Sequence, residues 1–224
     1  MRRRARLPPP RAPYAREGRG PVGREILLAS LGMLVGFAGA GIPVMAGGRA
    51  RRGGKSSSGV AASGLVCAMQ IRAFVSSDRD WAGRFLDEHY GGPVQARRGE
   101  LVDVLALPGI VAERDGLPVG LLTYRRDGAD CELAFVAALV RHDGVGTALL
   151  EALVAEVAGC ERVWLVTTND NLEALRFYQR RGFALSALRP GAVDESRRAL
   201  KPQISEVGEF GIPLRDEVEL ELRL

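Results

Sequence analysis

A glycine-containing turn between a strand and a helix is the feature that most constrains this chain. The turn is Arg-His-Asp-Gly-Val-Gly, residues 141–146 of 224. The apolar run Leu133 to Val140 before it predicts a strand, and a helical pattern opens at Thr147. Backbone N–H groups of such a turn converge where the positive end of the helix dipole lies, and Gly144 and Gly146 let a ligand approach. The turn predicts a diphosphate site, although alone it is equally typical of an ordinary helix start.

A second motif follows a short distance along the chain. Residues 163–168 read as a buried strand, and residues 171–183 then read Asn-Leu-Glu-Ala-Leu-Arg-Phe-Tyr-Gln-Arg-Arg-Gly-Phe. The two segments resemble the signature blocks of the GNAT family of N-acetyltransferases, Arg/Gln-x-x-Gly-x-Gly/Ala and Asn-x-x-Ala-x-x-Phe-Tyr-x-x-x-Gly-Phe. Every residue of the second block is present, and the resemblance is dense from Glu132 to Phe183.

The resemblance implies a fold and an activity. The fold is the acyl-CoA N-acyltransferase fold, an α/β structure with a mixed, mostly antiparallel twisted sheet flanked by helices. The activity is direct transfer of an acetyl group from acetyl-CoA, the acyl-donor substrate, to a primary amine, with no metal and no covalent enzyme intermediate. The alternative is a non-catalytic acyl-CoA-binding regulatory domain, which needs the glycine turn but neither an acid nor a base.

The resemblance also assigns the cofactor-binding residues. Backbone groups around Phe135, Val136 and Ala137 are expected to hold the pantetheine arm and the thioester. The pyrophosphate is expected against the turn and the first residues of the helix, namely Arg141, His142, Asp143, Gly144, Val145, Gly146 and Thr147.

The catalytic candidates lie on the two signature segments. Asn171, Ala174 and Tyr178 fall on one helical face. The resemblance places Asn171 against the cofactor and the Tyr178 hydroxyl near its sulfur, where a phenol can protonate the leaving thiolate. The other interpretation of Tyr178 is a core aromatic residue. Glu132 is the candidate general base, because its strand is similar to the base-bearing strand of histone-type members; the alternative is a solvated side chain. Cys131 is expected on the opposite face of that strand.

The charge of the chain is unevenly distributed. Residues 1–68 carry twelve Lys and Arg against two acidic residues, whereas residues 69–224 carry nineteen basic and twenty-five acidic residues. The isoelectric point near 9.3 therefore describes the first segment. The acidic second segment favours a cationic amine acceptor, a small molecule or a peptide. It lacks a basic stripe with interleaved aromatic residues, which argues against a nucleic-acid partner. Three cysteines with no metal or disulfide spacing fit a reduced cytoplasm.

Residues 1–68 are interpreted as a low-complexity extension, and residues 69–224 as the N-acetyltransferase domain. Met69 begins a strand pattern, so the favoured interpretation is that the native chain starts there and is cytoplasmic. The uncharged stretch 26–48 leaves two alternatives open, a membrane anchor with a cytoplasmic catalytic domain and a secretory signal. An oligomer is compatible with the sequence.

Local patterns predict the remaining elements. A strand is expected over 69–75, a helix from Asp78 or Asp80 to Tyr90, hairpin turns at 115–116 and 127–128, and a helix over 144–159. Strict alternation over 217–224 predicts a final strand with one face in water. The segment 189–216 is expected to be an irregular lid over the acceptor site, with one short helix at 193–200.

Overall fold

The computed structural model describes residues 68–139 and 143–224, together with the backbone of residues 27–29. The strands are β1 (Leu27–Ala29), β2 (Gln70–Ala73), β3 (Val94–Arg97), β4 (Glu100–Asp103), β5 (Gly109–Arg114), β6 (Leu117–Asp127), β7 (Asp130–Ala138), β8 (Arg162–Thr168), β9 (Ala184–Arg189) and β10 (Glu217–Arg223). The helices are α1 (Arg79–Tyr90), α2 (Val145–Glu156), α3 (Leu172–Gln179) and α4 (Ala192–Ala199). Within the described ranges, no helix has the length and apolar character that a membrane crossing requires. The stretch 26–48 lies outside them apart from β1.

One sheet forms the centre of the molecule, with strand order β2-β5-β6-β7-β8-β10-β9. The pairs along this order are antiparallel except β7–β8, which is parallel. The crossover between these two strands is α2, as expected because parallel neighbours need a long connection. The predicted fold class, a mixed and mostly antiparallel sheet flanked by helices, is confirmed.

Both faces of the sheet are covered. On one face α2 buries Val145, Leu149 and Leu153, residues spaced four apart on one helical stripe, and α3 contributes Ala174 and Tyr178 to the same apolar cluster. On the other face α1 packs Phe85, Leu86 and Tyr90 against the sheet. A left-handed Gly91 ends α1, as the sequence predicts.

A hairpin over residues 94–103 was not predicted from the sequence. Its strands β3 and β4 pair in register around a two-residue turn, in which Arg98 and Gly99 both have positive φ angles, 49° and 77°. That combination is typical of a tight two-residue hairpin turn. The lid then packs onto β3, where Ala96 lies in an apolar cluster with Val193, Ile204 and Leu214. The predicted short lid helix is confirmed as α4.

Candidate active site

The sheet opens between β7 and β8. Their parallel pairing covers only Asp130–Glu132 and Arg162–Trp164, and it stops there although β7 continues to Ala138 and β8 to Thr168. Beyond Glu132 the two strands share no ladder hydrogen bonds. This leaves an edge of backbone groups on β7, over the residues that were expected to hold the pantetheine arm.

Strand β1 pairs with that edge. Leu28 lies opposite Ala137 in an antiparallel ladder that spans Val136 to Ala138. The same backbone groups cannot bond to β1 and to a pantetheine arm at once, so β1 has to leave for a ligand to bind there. Phe135, Val136 and Ala137 are all buried in this arrangement.

A β-bulge lies on β7 next to the opening. Leu133 pairs with Tyr124 and Phe135 with Thr123, so Ala134 has no partner on β6. The extra residue reverses which face the following side chains occupy. Phe135 and Ala137 accordingly pack on the α1 side, whereas Leu133 and Val136 pack on the α2 side.

The glycine turn leads into α2 as predicted. Gly144 is the N-cap residue with a φ of 78°, a left-handed conformation that favours glycine. Asp143, Gly144, Val145, Gly146 and Thr147 line one side of an open pocket of about 360 Å³. The other two residues expected here, Arg141 and His142, lie outside the described part of the chain. The start of α2 thus offers its backbone N–H groups to a pocket large enough for phosphate groups.

The opposite wall of this pocket was not anticipated from the sequence. It comes from α3 and the residues just after it, namely Glu173, Arg176, Phe177, Arg180 and Arg181. The guanidinium of Arg181 donates to Thr147 Oγ1 and lies 3.7 Å from the centroid of the Phe177 ring. Helical spacing was the available signal, because residues three and four apart share a face.

The face of α3 that was predicted to contact the cofactor is buried. Asn171, Ala174 and Tyr178 are all buried. The Asn171 side-chain oxygen accepts from the Ala174 N–H at 3.0 Å, so this residue caps the helix. The Tyr178 ring contacts Phe183, with centroids 5.4 Å apart. Ala174 and Tyr178 share an apolar cluster with Val145 at the start of α2, so α3 and α2 lie on the same side of the sheet.

Glu132 occupies a different environment from the solvated one that a strand glutamate usually has. It is 3% exposed, and its carboxylate forms ion pairs with Arg97 and, at 2.9 Å, with Arg125. Arg97 is equally buried, and its Nη1 donates at 2.7 Å to the carbonyl of Ala134, the bulge residue. Cys131 lies on the opposite face of β7, in the α2 cluster, as predicted.

The expectation that one face of β10 is in water is wrong. Glu217 and Glu219 are buried, because the hairpin β3–β4 and the Arg98 side chain lie over them. The Glu217 carboxylate accepts from the Arg98 backbone N–H at 3.0 Å. Burial raises the pKa of Glu217 above its ordinary 4.5.

This raised pKa predicts a pH-dependent stability effect for Glu217→Gln. Near pH 4 the carboxyl group is protonated in folded and unfolded chains, so the substitution changes little. As pH rises from 4.5 through the raised pKa of the folded protein, Glu217 ionises first in the unfolded chain. The native protein loses stability over this range. We expect the variant to melt higher than the native protein at pH 8 and about equally at pH 4, in circular dichroism. The exposed Glu206→Gln is the control, and a lower melting temperature at pH 8 would contradict this account of Glu217.

The lid packs against the hairpin β3–β4 and the end of α1. The buried Lys201 amine donates to the carbonyls of Val94, at 2.8 Å, and Gly91, at 3.2 Å. It thereby joins the lid to the hairpin and to the end of α1. Arg197 braces the lid from within by donating to the carbonyls of Ser205 and Leu214.

The mixed sheet and the helices on both of its faces match the fold that the two sequence motifs imply. Residues 77–183 match the model of the Acetyltransferase (GNAT) family. The uncharacterized protein YdhI of Bacillus subtilis (strain 168) is 42% identical over 137 residues, which cover 60% of this chain and 85% of YdhI.

Solved structures agree on the fold. A GNAT family acetyltransferase from Elizabethkingia anophelis with acetyl-CoA bound superimposes with a TM-score of 0.53 at 16% identity, covering 70% of this chain and 98% of its own. The IAA acetyltransferase from Bacillus cereus ATCC 14579 gives 0.53 at 20% identity, covering 70% and 100%. The chain belongs to the GNAT acetyltransferase family, which confirms the resemblance of its two motifs.

Proposed function

We propose that this chain is an N-acetyltransferase that moves the acetyl group of acetyl-CoA directly to a primary amine. The observation that carries the proposal is the opening between β7 and β8, flanked by the phosphate-sized pocket at the start of α2 and by the buried face of α3. Membership of an acetyltransferase family supports acyl transfer in general. The acetyl-CoA in the Elizabethkingia protein supports the same donor here.

The proposed reaction uses few groups of the protein. The amine nitrogen attacks the thioester carbonyl carbon, and a C–N bond forms. As the tetrahedral intermediate collapses, the C–S bond breaks and the phenol of Tyr178 gives its proton to the departing sulfur. An amine with a pKa like that of lysine is an ammonium ion at pH 7, so a base must first remove a proton. After the attack the nitrogen still carries an extra proton, which it loses to the Tyr178 phenolate as the amide forms. The phenol is restored, and the amide and free CoA are the products.

The state of Cys131 supports direct transfer over an acyl-cysteine intermediate. Burial raises the pKa of Cys131 to about 12, so its sulfur is a thiol at neutral pH. A thiol is a far weaker nucleophile than a thiolate. The side chain also packs on the α2 face of β7, opposite the face that carries Glu132.

We propose Glu132 as the general base, and Glu132→Gln as its test. Glutamine has the same shape but accepts no proton, so we expect turnover to fall about 100-fold with acetyl-CoA affinity unchanged. The ion pairs with Arg97 and Arg125 give Glu132 a competing role as an anchor for the hairpin.

Turnover and melting temperature separate these two roles. A variant that melts lower but keeps its turnover would contradict the base and leave the anchor. Glu161→Gln, at an exposed position just before β8, is the matched control.

The acceptor is proposed to be a cationic amine, either a small molecule or a peptide, that enters beside the lid. The net negative charge of residues 69–224 supports this choice. We propose these residues as the catalytic domain and the cytoplasm as its location, because acetyl-CoA is available there. Tight acetyl-CoA binding without turnover on any amine would favour the alternative, a non-catalytic acyl-CoA-binding regulatory domain. The absence of acetyl-CoA binding would overturn both.

A further inference from the structure

The pocket at the start of α2 has a second, basic wall. Arg176, Arg180 and Arg181 all line it from the C-terminal half of α3 and the residues that follow, opposite the glycine turn. Two acidic side chains also border the pocket, Asp143 and Glu173. The pocket therefore combines a helix N-terminus on one side with three guanidinium groups on the other.

The two acidic side chains already have cationic partners. Asp143 forms an ion pair with Arg114 of β5, and Glu173 lies 3.7 Å from Arg176. Neither carboxylate is paired with Arg180 or Arg181. The charge of Arg176 is thus partly offset by Glu173, whereas neither carboxylate offsets the charges of Arg180 and Arg181.

Arg181 is held in place before any ligand arrives. Its Nε donates to Thr147 Oγ1 at 3.2 Å, its Nη1 donates to the Phe177 carbonyl at 2.9 Å, and its guanidinium stacks on the Phe177 ring. These contacts connect α3 to the first turn of α2. A guanidinium fixed in this way loses little conformational entropy when it binds an anion.

Arg180 differs from its neighbour. It is exposed at the rim of the pocket, and among the described residues its guanidinium has no ion-pair or hydrogen-bond partner. A cation near a helix C-terminus ordinarily stabilises the helix dipole. If Arg180 only stabilised the helix, its substitution would not change the relative affinity for ligands that differ in one phosphate. Comparing two such ligands therefore tests whether Arg180 also binds a phosphate.

We infer that Arg180 and Arg181 bind the 3′-phosphate of coenzyme A and so select CoA over 3′-dephospho-CoA. The inference rests on the proposed use of acetyl-CoA. The N-terminus of α2 supplies backbone donors for one diphosphate. A phosphate monoester adds close to two further negative charges near neutral pH. Arginine, with its planar set of donors, recognises such a group through paired hydrogen bonds.

Calorimetric titration of the full chain with CoA and with 3′-dephospho-CoA tests the inference. The two ligands share the pantetheine arm, so any cost of displacing β1 is common to both. We expect CoA to bind about tenfold more tightly, the effect of one or two charge-assisted hydrogen bonds. Arg180→Gln should weaken CoA binding and leave 3′-dephospho-CoA binding unchanged. Arg198→Gln, at an exposed position of α4, is the matched control and should preserve the preference.

The outcomes separate this inference from the proposed function. Equal affinity for the two ligands in the native protein, or an equal loss of both in Arg180→Gln, would overturn the selection of the 3′-phosphate while leaving acyl-CoA binding intact. Failure of both ligands to bind would overturn the proposed function and this inference with it. Arg181→Lys retains the charge but loses the planar set of donors, so it should reduce the preference as well.

Discussion

Tyr178→Phe is expected to lower turnover with acetyl-CoA about 100-fold, the usual contribution of a positioned general acid. The phenyl ring keeps the packing against Phe177 and Phe183, so the fold should be preserved. Acetyl-CoA affinity should stay within about twofold, because the lost hydroxyl acts on the departing sulfur in the transition state and not on the bound substrate. Steady-state kinetics with calorimetry gives both quantities.

Tyr124→Phe is the control for this result. Tyr124 is also a buried tyrosine on the α2 side of the sheet, and its hydroxyl lies 3.4 Å from Glu156, near the far end of α2. The control should keep full turnover. Native turnover in Tyr178→Phe would contradict the acid role and leave Tyr178 as a core aromatic residue.

Gly120→Ala is expected to weaken acetyl-CoA binding about tenfold although Gly120 lies outside both signature motifs. A Cβ at this position of β6 would lie 2.5 Å from Val145 Cγ1 and 3.0 Å from Leu149 Cδ1. Val145 is the first residue of α2, so relief of the clash moves the helix N-terminus away from the sheet. Overpacking of this kind costs about 1–3 kcal/mol of stability. Calorimetry and thermal melting measure the two effects.

A second substitution identifies the cause. Val145→Ala removes the nearest of the atoms that the new Cβ meets, so the double variant Gly120→Ala/Val145→Ala should recover part of the lost affinity. Gly159→Ala is the neutral control, because a Cβ there meets no atom within 4 Å. Full affinity in Gly120→Ala would show that the position of α2 on the sheet does not set the pocket.

Much of the fold was predictable because its signals are local. The strand before the glycine turn, the helix after it and the face of α3 all follow from periodicities within a few residues of each other. The roles of Asn171, Tyr178 and the glycines were assigned by resemblance to the two signature motifs, and they stay predictions. Their surroundings repeat a known arrangement of two motifs at fixed spacing.

The hairpin over 94–103 and its consequences were not predictable in this way. Its turn is Arg98-Gly99, a weaker turn signal than Asn-Gly, and its short strands lack clear alternation. The alternation of β10 correctly predicts a strand, but it cannot reveal that a hairpin far away in sequence covers Glu217. The burial of Glu132 against Arg97 and Arg125 could not be predicted for the same reason, because contacts between distant segments do not appear in the pattern of apolar residues along the chain.

The basic wall of the pocket is an intermediate case. Arg176 and Arg180 are one helical turn apart in a motif that was recognised, so their common face was available from spacing. The sequence did not predict that α3 lies opposite the start of α2. The hydrogen bond from Arg181 to Thr147 joins these two segments in the structure.

Release of thiol from acetyl-CoA, followed with the full chain against a panel of primary amines and peptides, tests the central claim most directly. We expect turnover with one class of cationic acceptor, formation of the N-acetylated product, and strong loss of both in Tyr178→Phe. Thiol release that is independent of any amine, or acetyl-CoA binding with no turnover across the panel, would contradict an N-acetyltransferase that works by direct transfer.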